Sequence, residues 1–447
     1  MTVVSQSSQV VERAHRNRIP LFSLLAANAV STVGNSLTIV AVPWFILETT
    51  GSAAKTGLAG AALALGGILA SVLGGPLVDR LGFKRASVVT DLACFALVAA
   101  IPLLHLADVL TFAHLVVLAF FISSFNSPGD AARFALVPEL AAQAHMTPER
   151  ANAADRGIAR GAQLVGPLIA GVLIALIGPT NVLLLDAVTF AVSAALIALM
   201  VPSQRRSRVN TEPSGAGQRS YLRDLMVGLR FVGTNSLIMS VVLVVAVGNA
   251  LDAALLTVLL PVYANDIWGD PASLGAVLSA LGAGALAGTF LFGAIGHRIP
   301  RRATFLLGGA IGSSLLYGTL STTPALPVVL VVALLSAVVA GPIFPLVEMT
   351  MQRLTPPELL GRAFGSLQAL SMVGVPFGAA AAGVLIQDVG LAKTALIFGG
   401  IYLVATLGAF LNPVLRRLDT PREVRSDRYS WRTACAGDRA GDLDRGC

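Results

Sequence analysis

The sequence predicts an all-α integral membrane protein whose twelve transmembrane helices form two pseudo-symmetric groups of six. Three observations lead to this fold class. Hydrophobic residues make up 55% of the 447 residues and charged residues only 12%, long segments carry no charge, and two loops half a chain apart resemble each other. A soluble domain carries about 25% charged residues, so the composition excludes a water-soluble fold.

Uncharged segments long enough to cross a bilayer define the predicted helices. A hydrocarbon core about 30 Å thick needs roughly 20 apolar residues per helix. The run over 303–347 is long enough for two helices and contains the turn-forming sequence Ser321-Thr322-Thr323-Pro324. The predicted spans are 19–47, 56–78, 86–107, 109–129, 161–185, 187–204, 231–251, 271–296, two within 303–347, 363–387 and 394–415.

The distribution of positive charge predicts that both chain ends lie in the cytoplasm. Short cytoplasmic loops collect Lys and Arg, and an even number of spans with both ends inside places 29 of the 31 Lys and Arg residues on that side, all except Lys55 and Lys393. Orientation and contacts with anionic lipids explain the net charge of +7. We therefore expect a multi-pass protein of the cell (inner or plasma) membrane, without a nucleic-acid partner.

A polar segment divides the chain near its middle. Residues 202–220 contain several arginines together with Pro213, Ser214 and Gly215, a composition typical of a flexible linker. The predicted organisation is a cytoplasmic N-terminal tail (1–20), a first six-helix half (21–201), the cytoplasmic linker (202–220), a second six-helix half (221–415) and a disordered cytoplasmic tail (416–447).

Matching loops indicate that the two halves are repeats. The segment 75–85 resembles 293–302, and the Gly-Val-Leu-Ile sequence that begins at Gly171 recurs at Gly383. Parallel repeats of six helices are a transporter architecture, in which the substrate binds between the repeats near the membrane midplane. The loop alignment pairs Gly75 with Gly293, Arg80 with Arg298 and Lys84 with Arg302.

The first of these loops resembles the signature that the major facilitator superfamily carries between its helices 2 and 3. Its glycine, acid, arginine, glycine and two basic residues are Gly75, Asp79, Arg80, Gly82, Lys84 and Arg85. The resemblance implies transport by alternating access, with this motif as a latch of the cytoplasmic gate; a role in orientation alone is the alternative for its arginines. The second loop has His297 and Pro300 in place of the acid and the second glycine, so we expect the latch in the first half only.

Predicted helix 5 is similar to the glycine-proline motif of the superfamily's antiporters, through Gly161, Gly166, Pro167 and Gly171. The sequences Asn126-Ser127-Pro128, Ala135-Leu136-Val137-Pro138 and Ala151-Asn152-Ala153 resemble the twelve-span bacterial efflux branch that includes drug, macrolide and siderophore exporters. The resemblance covers residues 20–415. It implies proton-coupled export of an amphipathic small molecule such as an antibiotic or a siderophore.

Acidic residues inside the predicted spans are the candidates for proton coupling. A charge in the hydrocarbon costs at least about 2.5–3.5 kcal/mol on insertion scales, so such residues are rare and usually functional. Asp252 in helix 7 is the deepest candidate and Asp186 in helix 6 the next. The alternative for Asp252 is a capped bend or a hydrogen bond between helices. For Asp186 it is an interfacial acid paired with a backbone donor, and this structural role is favoured. Acids nearer the cytoplasmic ends fit anchoring pairs better: Asp91, Asp130, which has Arg133 three residues on, and Glu348.

Polar residues in otherwise apolar spans are the candidates for a substrate cavity. Asn35 in helix 1 and Gln368 in helix 11 are of this kind, although bonding between helices is an equally common use.

The sequence contains no phosphate-binding loop, His-Glu-x-x-His or Cys-x-x-Cys. We therefore expect no catalytic residue, cofactor or metal. We expect an ion gradient to drive transport, with protons as the ion. The expected partners are a small-molecule substrate, protons and membrane lipids, and a monomer is expected.

Two other functions stay open at this point. A protein of the same fold could import a nutrient or a lipid, although the few positive residues inside the spans disfavour a strongly anionic cargo. A membrane sensor or enzyme that transports nothing is the second. An enzyme would need a cluster of polar catalytic residues inside the membrane, and the sequence contains none.

Overall fold

The computed structural model describes residues 18–202, 217–356 and 359–419, and within them all regular structure is helical. Eleven helices of these segments are long and apolar enough to cross a membrane. One of them, Pro148–Met200, has 53 residues and changes direction at Gly178, where φ is 80° and ψ 158°. Glycine adopts this conformation readily, and a straight helix of that length would span about 80 Å. Counting its two arms separately yields twelve segments, and the predicted fold class is confirmed.

We number these segments α1 to α12 in chain order. The first six are α1 (Ile19–Thr50), α2 (Ala53–Leu81), α3 (Phe83–Leu106), α4 (Phe112–Gln143), α5 (148–177) and α6 (179–200). The last six are α7 (Ser236–Trp268), α8 (Pro271–Ile295), α9 (Arg301–Leu320), α10 (Leu326–Leu354), α11 (Leu360–Val389) and α12 (Leu391–Leu411).

A further helix, Gly217–Thr234, precedes α7, and we call it the linker helix. A Cβ added to its Gly228 would lie 2.4 Å from the backbone oxygen of Arg362, which shows how closely it packs on the start of α11. The predicted linker, 202–220, lies mostly outside the described residues. After α12 the chain continues as a short 3₁₀ helix, Pro413–Leu418, whose Leu415 is fully buried, so the described part of the predicted tail is folded.

Several helix boundaries differ from those predicted from uncharged runs. The structure ends α5 at Gly178, not near Asp186, and α4 continues past Asp130 and Arg133 to Gln143. The reason is that these charged residues are paired or hydrogen-bonded within the bundle, so they do not mark the ends of apolar spans. Gly178 sets the turn because it takes a positive φ and is followed by a proline without a backbone donor.

The first six segments meet the last six through two close helix pairs, α5 with α8 and α2 with α11. A Cβ added to Gly171 of α5 would lie 2.6 Å from the backbone oxygen of Pro271, and one added to Gly383 of α11 would lie 2.5 Å from that of Ala53. Real Cβ atoms do not approach that closely, so glycine is required at both places. Gly171 and Gly383 are the residues that the sequence repeat aligned, and they make equivalent contacts.

Both contacts lie toward one end of the bundle. Pro271 and Ala53 begin α8 and α2, whereas the loop 75–85 lies at the opposite end, which we call the motif end. There the glycines of α5 face open space, since a Cβ at Gly157 or Gly161 would meet no atom within 4 Å. The closest contacts between the two groups of six therefore lie toward the end opposite the motif, and α8 stays near α5 as far as Gln163, where a Cβ added to Gly282 would lie 3.4 Å from the backbone oxygen.

We expect Gly171→Ala to lower the thermal stability of the purified protein, because the added methyl group would overlap the backbone of α8. Overpacking of this kind typically costs about 1–3 kcal/mol. The midpoint of thermal unfolding in detergent measures it. Gly161→Ala on the same helix is the matched control and should leave the midpoint unchanged. Equal shifts in the two variants would contradict the close contact.

Candidate functional site

Two cavities among the described residues bear on transport, and the larger of these two lies between the two groups of six. It has a volume of about 590 Å³ and is bounded by α2, α4 and α11. Most of its wall is apolar or glycine, and its polar side chains are Ser71, Ser123, Arg362 and Gln368. Pockets that hold drug-sized ligands typically measure roughly 300–1,000 Å³ and combine an apolar wall with a few polar groups. Size and lining therefore suit an amphipathic small molecule.

The structure places only one of the two predicted substrate-cavity residues in this wall. Gln368 lines the larger cavity. Asn35 is not among the lining residues; its Nδ2 donates to Oδ1 of Asn126 at 3.3 Å and ties α1 to α4. For Asn35 the structure thus favours the hydrogen bond between helices, the alternative that the sequence left open.

A second, smaller cavity lies inside the last six segments. It has a volume of about 90 Å³ and is walled by α7, α9, α10 and α12, with Asp252 in its lining. Neutral polar groups share the wall, namely Asn249, Ser313, Tyr402 and Thr406. None of the described residues donates a hydrogen bond to the Asp252 carboxylate or forms an ion pair with it. Such a group in a membrane span is unusual, because a carboxylate without a partner is costly away from water.

Irregular helical turns surround this smaller cavity. A π-helical turn, Leu255–Leu259, follows Asp252 in α7, and a second, Gly308–Ser313, forms part of the wall in α9. Widened turns leave backbone groups without their usual partners, and membrane helices tolerate this where other side chains satisfy them. The fully buried Tyr317 adds a bond beside the first turn: its hydroxyl donates at 2.6 Å to the backbone oxygen of Leu251, which also accepts from the N–H of Leu255.

Asp186, the second predicted coupling residue, is hydrogen-bonded. Its carboxylate accepts from the hydroxyl of Thr38 in α1 and, at 3.0 Å, from that of Thr189 one turn further along α6. The residue is fully buried. These bonds tie α1 to α6. The structural role favoured from the sequence had a backbone donor, whereas the donors here are two side-chain hydroxyls.

A buried arginine joins three helices of the first six. Arg133 of α4 has 2% of its side chain exposed and donates through Nη1 to Asp91 of α3 at 2.5 Å and through Nη2 to Asp130. Ser193 of α6 donates to the other oxygen of Asp91 at 2.7 Å. The spacing predicted the Asp130 pair, but the sequence did not identify Arg133 as the centre. A positive charge within an otherwise apolar segment, with Asp91 in the preceding span, was the available signal.

One basic residue of each repeated loop holds a helix end within its own group of six. Nζ of Lys84 donates to the backbone oxygen of Ala198 at 2.8 Å, in the last turn of α6. Its aligned counterpart in the second repeat, Arg302, donates to the backbone oxygen of Phe410 in the last turn of α12. A cation at a helix C-terminus satisfies free carbonyls and offsets the helix dipole. Matched residues therefore do the same work in both repeats.

The other residues of the loop motif lie at the turn between α2 and α3. Gly82 has a φ of 80° and joins the two helices, and Arg80 and Arg85 are exposed. A Cβ at Gly75 would meet no atom within 4 Å. The side chain of Asp79, the acid predicted to form the latch, lies outside the described part of the structure, so its role stays a prediction.

The glycine-proline motif of α5 is a contact surface for two helices. A Cβ on Gly166 would lie 2.4 Å from the Cβ of Ser36 in α1. The backbone of Pro167 lies against Gly275 of α8, where an added Cβ would come within 2.3 Å of the Pro167 oxygen. Together with Gly171 these residues allow α5 to approach both neighbours, whereas Gly161 faces open space.

Two groups of six helices around a cavity that both share define the class of transporters with the major facilitator fold. The structure of the nucleoside transporter NupG has this fold, with a TM-score of 0.69 over 87% of this chain and 98% of that one. At 14% identity the likeness shows the fold alone.

The chain belongs to the transmembrane secretion effector family, whose model matches residues 17–436. It is 33% identical to the multidrug efflux pump Tap of Mycolicibacterium fortuitum over 90% of this chain and 98% of the pump. It is 27% identical to the enterobactin exporter EntS of Citrobacter koseri, over 90% of this chain and 94% of the exporter. These findings confirm the predicted resemblance. The protein is a multi-pass membrane transporter of small molecules.

We expect Asp91→Asn to destabilise the protein more than Asp130→Asn does. Removing one partner of a buried ion pair costs about 3–5 kcal/mol, and Asp91 is 2% exposed. The side chain of Asp130 is 52% exposed, where a pair is worth about 0–1 kcal/mol. Thermal unfolding of both variants in detergent compares them. A larger loss for Asp130→Asn would show that the buried pair is not the stabilising one.

We expect Lys84→Met to increase amide hydrogen exchange in the last turn of α6 and to leave α12 unchanged, while Arg302→Met does the reverse. Each variant removes a cation worth about 0.3–1 kcal/mol at a helix end. Exchange followed by mass spectrometry measures both ends in one sample. Arg85→Met, at a neighbouring exposed position, is the control. If exchange rose throughout the bundle in either variant, the local helix-end role would be excluded.

Proposed function

We propose that the protein is a secondary active transporter that exports amphipathic small molecules, such as an antibiotic, a macrolide-like drug or a siderophore, in exchange for protons. The observation that carries the proposal is the cavity of about 590 Å³ between the two groups of six, with its mainly apolar wall. The identity of 33% to the pump Tap supports export and the class of cargo. Gln368, Ser71 and Ser123 are the polar groups that orient the cargo.

Transport proceeds by alternating access, with 21–201 and 221–415 as the moving halves. The Lys and Arg distribution orients the motif end toward the cytoplasm. The two halves touch at the other end, through Gly171 and Gly383, and the larger cavity lies on the motif side of these contacts. With this orientation the cavity lies on the cytoplasmic side of the contacts between the halves, the side from which an exporter collects its cargo. Closure at the motif end, where the loop 75–85 acts as a latch, completes the cycle.

Asp252 carries the coupling proton. Its cavity of about 90 Å³ is too small for a drug-sized molecule, but it has room for a few waters at about 30 Å³ each. Tyr317 of α9 and Tyr402 of α12 are the titratable groups that face the carboxylate, and neither supplies an opposite charge. A carboxyl group so placed fits its neutral, protonated form and needs water or a partner to ionise. Opening of the cavity to either side would then load or release the proton.

We expect Asp252→Asn to abolish transport against a gradient, because asparagine cannot exchange a proton. In everted membrane vesicles with an acidic interior, the wild type should accumulate a lipophilic cationic dye, and the variant should lose at least about tenfold of the accumulation, the equivalent of 1.4 kcal/mol. Asp266→Asn, at an exposed position near the end of the same helix, is the control and should transport normally.

Two results would contradict this assignment. Full gradient-driven accumulation by Asp252→Asn would remove the residue from the coupling step. Accumulation that occurs only in right-side-out vesicles, driven by protons entering with the dye, would establish the importer alternative.

A further inference from the structure

Helix α11 is interrupted at the height of the two cavities. Its regular hydrogen bonding runs to Met372 and resumes at Val375, with a turn at 373–374. In a continuous helix the backbone oxygen of Ser371 would accept from the N–H of Val375, and among the described residues no such bond crosses this turn; Pro376 has no N–H to offer Met372. Breaks in membrane helices persist where neighbouring groups satisfy the freed backbone.

Asn249 of α7 supplies such a group. Its Nδ2 donates to the backbone oxygen of Ser371 at 3.0 Å. A carbonyl oxygen can only accept, so the nitrogen end of the amide must face Ser371. The Oδ1 end accepts no hydrogen bond from the described residues.

This one hydrogen bond joins the walls of the two cavities. Asn249 lines the smaller cavity together with Asp252, which lies three residues further along and hence on the same face of α7. On the other side of the bond, Gln368, Met372 and Val375 of α11 line the larger cavity and flank the break. The Asn249 side chain is therefore the direct polar contact from the acid's cavity to the cargo's.

Backbone contact reinforces the link. A Cβ on Gly374 would lie 3.0 Å from that of Ala250, and one on Gly378 would lie 1.9 Å from the backbone oxygen of Ala250. The segment of α7 between Asn249 and Asp252 is thus packed directly on the interrupted part of α11. A shift of this segment of α7 therefore also moves the interrupted part of α11, because tightly packed interfaces rearrange between discrete states.

We propose that Asn249 is the positioning residue that couples protonation of Asp252 to the shape of the cargo cavity. A protonated Asp252 is a hydrogen-bond donor and Oδ1 of Asn249 an acceptor one turn away, whereas an ionised Asp252 accepts only. Protonation of Asp252 therefore allows a hydrogen bond to Oδ1 of Asn249. Because Nδ2 of the same amide is bonded to Ser371, a movement of the amide also displaces the break in α11. This inference rests on the proposed function, which assigns the cargo and the proton to the two cavities.

The test separates coupling from transport in reconstituted vesicles. One assay measures uphill accumulation of the cationic dye driven by a pH gradient, and the other measures exchange of the same dye without a gradient. Asn249→Leu keeps the size of the side chain and removes the donor; it should lower uphill accumulation at least about tenfold and keep exchange within about twofold of wild type. Asn249→Gln retains an amide and should restore part of the accumulation.

Asn412→Leu is the matched control. Its amide also donates to a residue of α7, Ser240 at 3.2 Å, but it lines neither cavity, and both assays should stay normal. Normal uphill accumulation by Asn249→Leu would overturn the inference, and so would a parallel loss of both activities, which indicates a purely structural bond. A wild type that exchanges dye but ignores the pH gradient would instead refute the proposed function, and the inference with it.

A second measurement needs no cargo. With Cys435 and Cys447 replaced by serine, Met372→Cys places a thiol in the wall of the larger cavity, and its alkylation rate is compared at pH 5.5 and pH 8. The Asp252→Asn background corrects for titration of the thiol itself. We expect a corrected change of at least about threefold, lost in Asn249→Leu. A change that persists in Asn249→Leu would show that the signal reaches α11 by another route.

Discussion

The hydrocarbon core offers no hydrogen-bonding partner, and this constraint shapes every part of the structure. Each backbone polar group must be satisfied inside the bundle, which is why the spans are helices and why interruptions are few. Where α11 is interrupted at the depth of the cavities, a side chain from a neighbouring helix supplies the missing donor: the amide of Asn249 donates to the backbone oxygen of Ser371. The same constraint holds Arg133 between two carboxylates and Asp186 between two threonines. Asp252 is different, because its carboxylate lines a cavity and accepts no hydrogen bond from a described residue.

Residues at aligned positions of the two repeats make equivalent contacts. The aligned Gly171 and Gly383 both permit close approach of a helix from the other group, and the aligned Lys84 and Arg302 both hold the last turn of a six-helix group. The acids do not follow the repeat. The charged cluster around Arg133 belongs to the first six segments and Asp252 to the last six. The first group thus carries a paired charge cluster, and the second carries the acid that we propose takes up and releases the proton.

Hydrophobic mass and the repeat were sufficient to predict the fold class, the twelve segments and the pairing of the two loops. Boundaries were less predictable, because a charge was treated as the end of a span, whereas Arg133 and Asp186 are satisfied by tertiary contacts inside one. Depth within a predicted span pointed to Asp252 and isolated polarity to Gln368; the structure places both in cavity walls, and their roles stay predictions. For Asn35 the same polarity argument left two roles open, and its amide bond to Asn126 fits the hydrogen bond between helices. Sequence spacing cannot say which distant carbonyl an asparagine meets, and for that reason Asn249 carried no signal of its own.

The position of α11 explains why coupling in such a molecule requires a link of this kind. The proposed proton site lies wholly within the last six segments, whereas the proposed cargo site is shared by both groups. A proton confined to one group can alter the relation between the groups only through an element that touches both. Helix α11 packs on α2 through Gly383 and on α7 through Gly378, so it is such an element. Its break at 373–374 divides it into a part that contacts α2 at the closed end and a part that lines the cargo cavity. A change at Asn249 acts between these parts, where a small displacement alters one without requiring the other to move by the same amount.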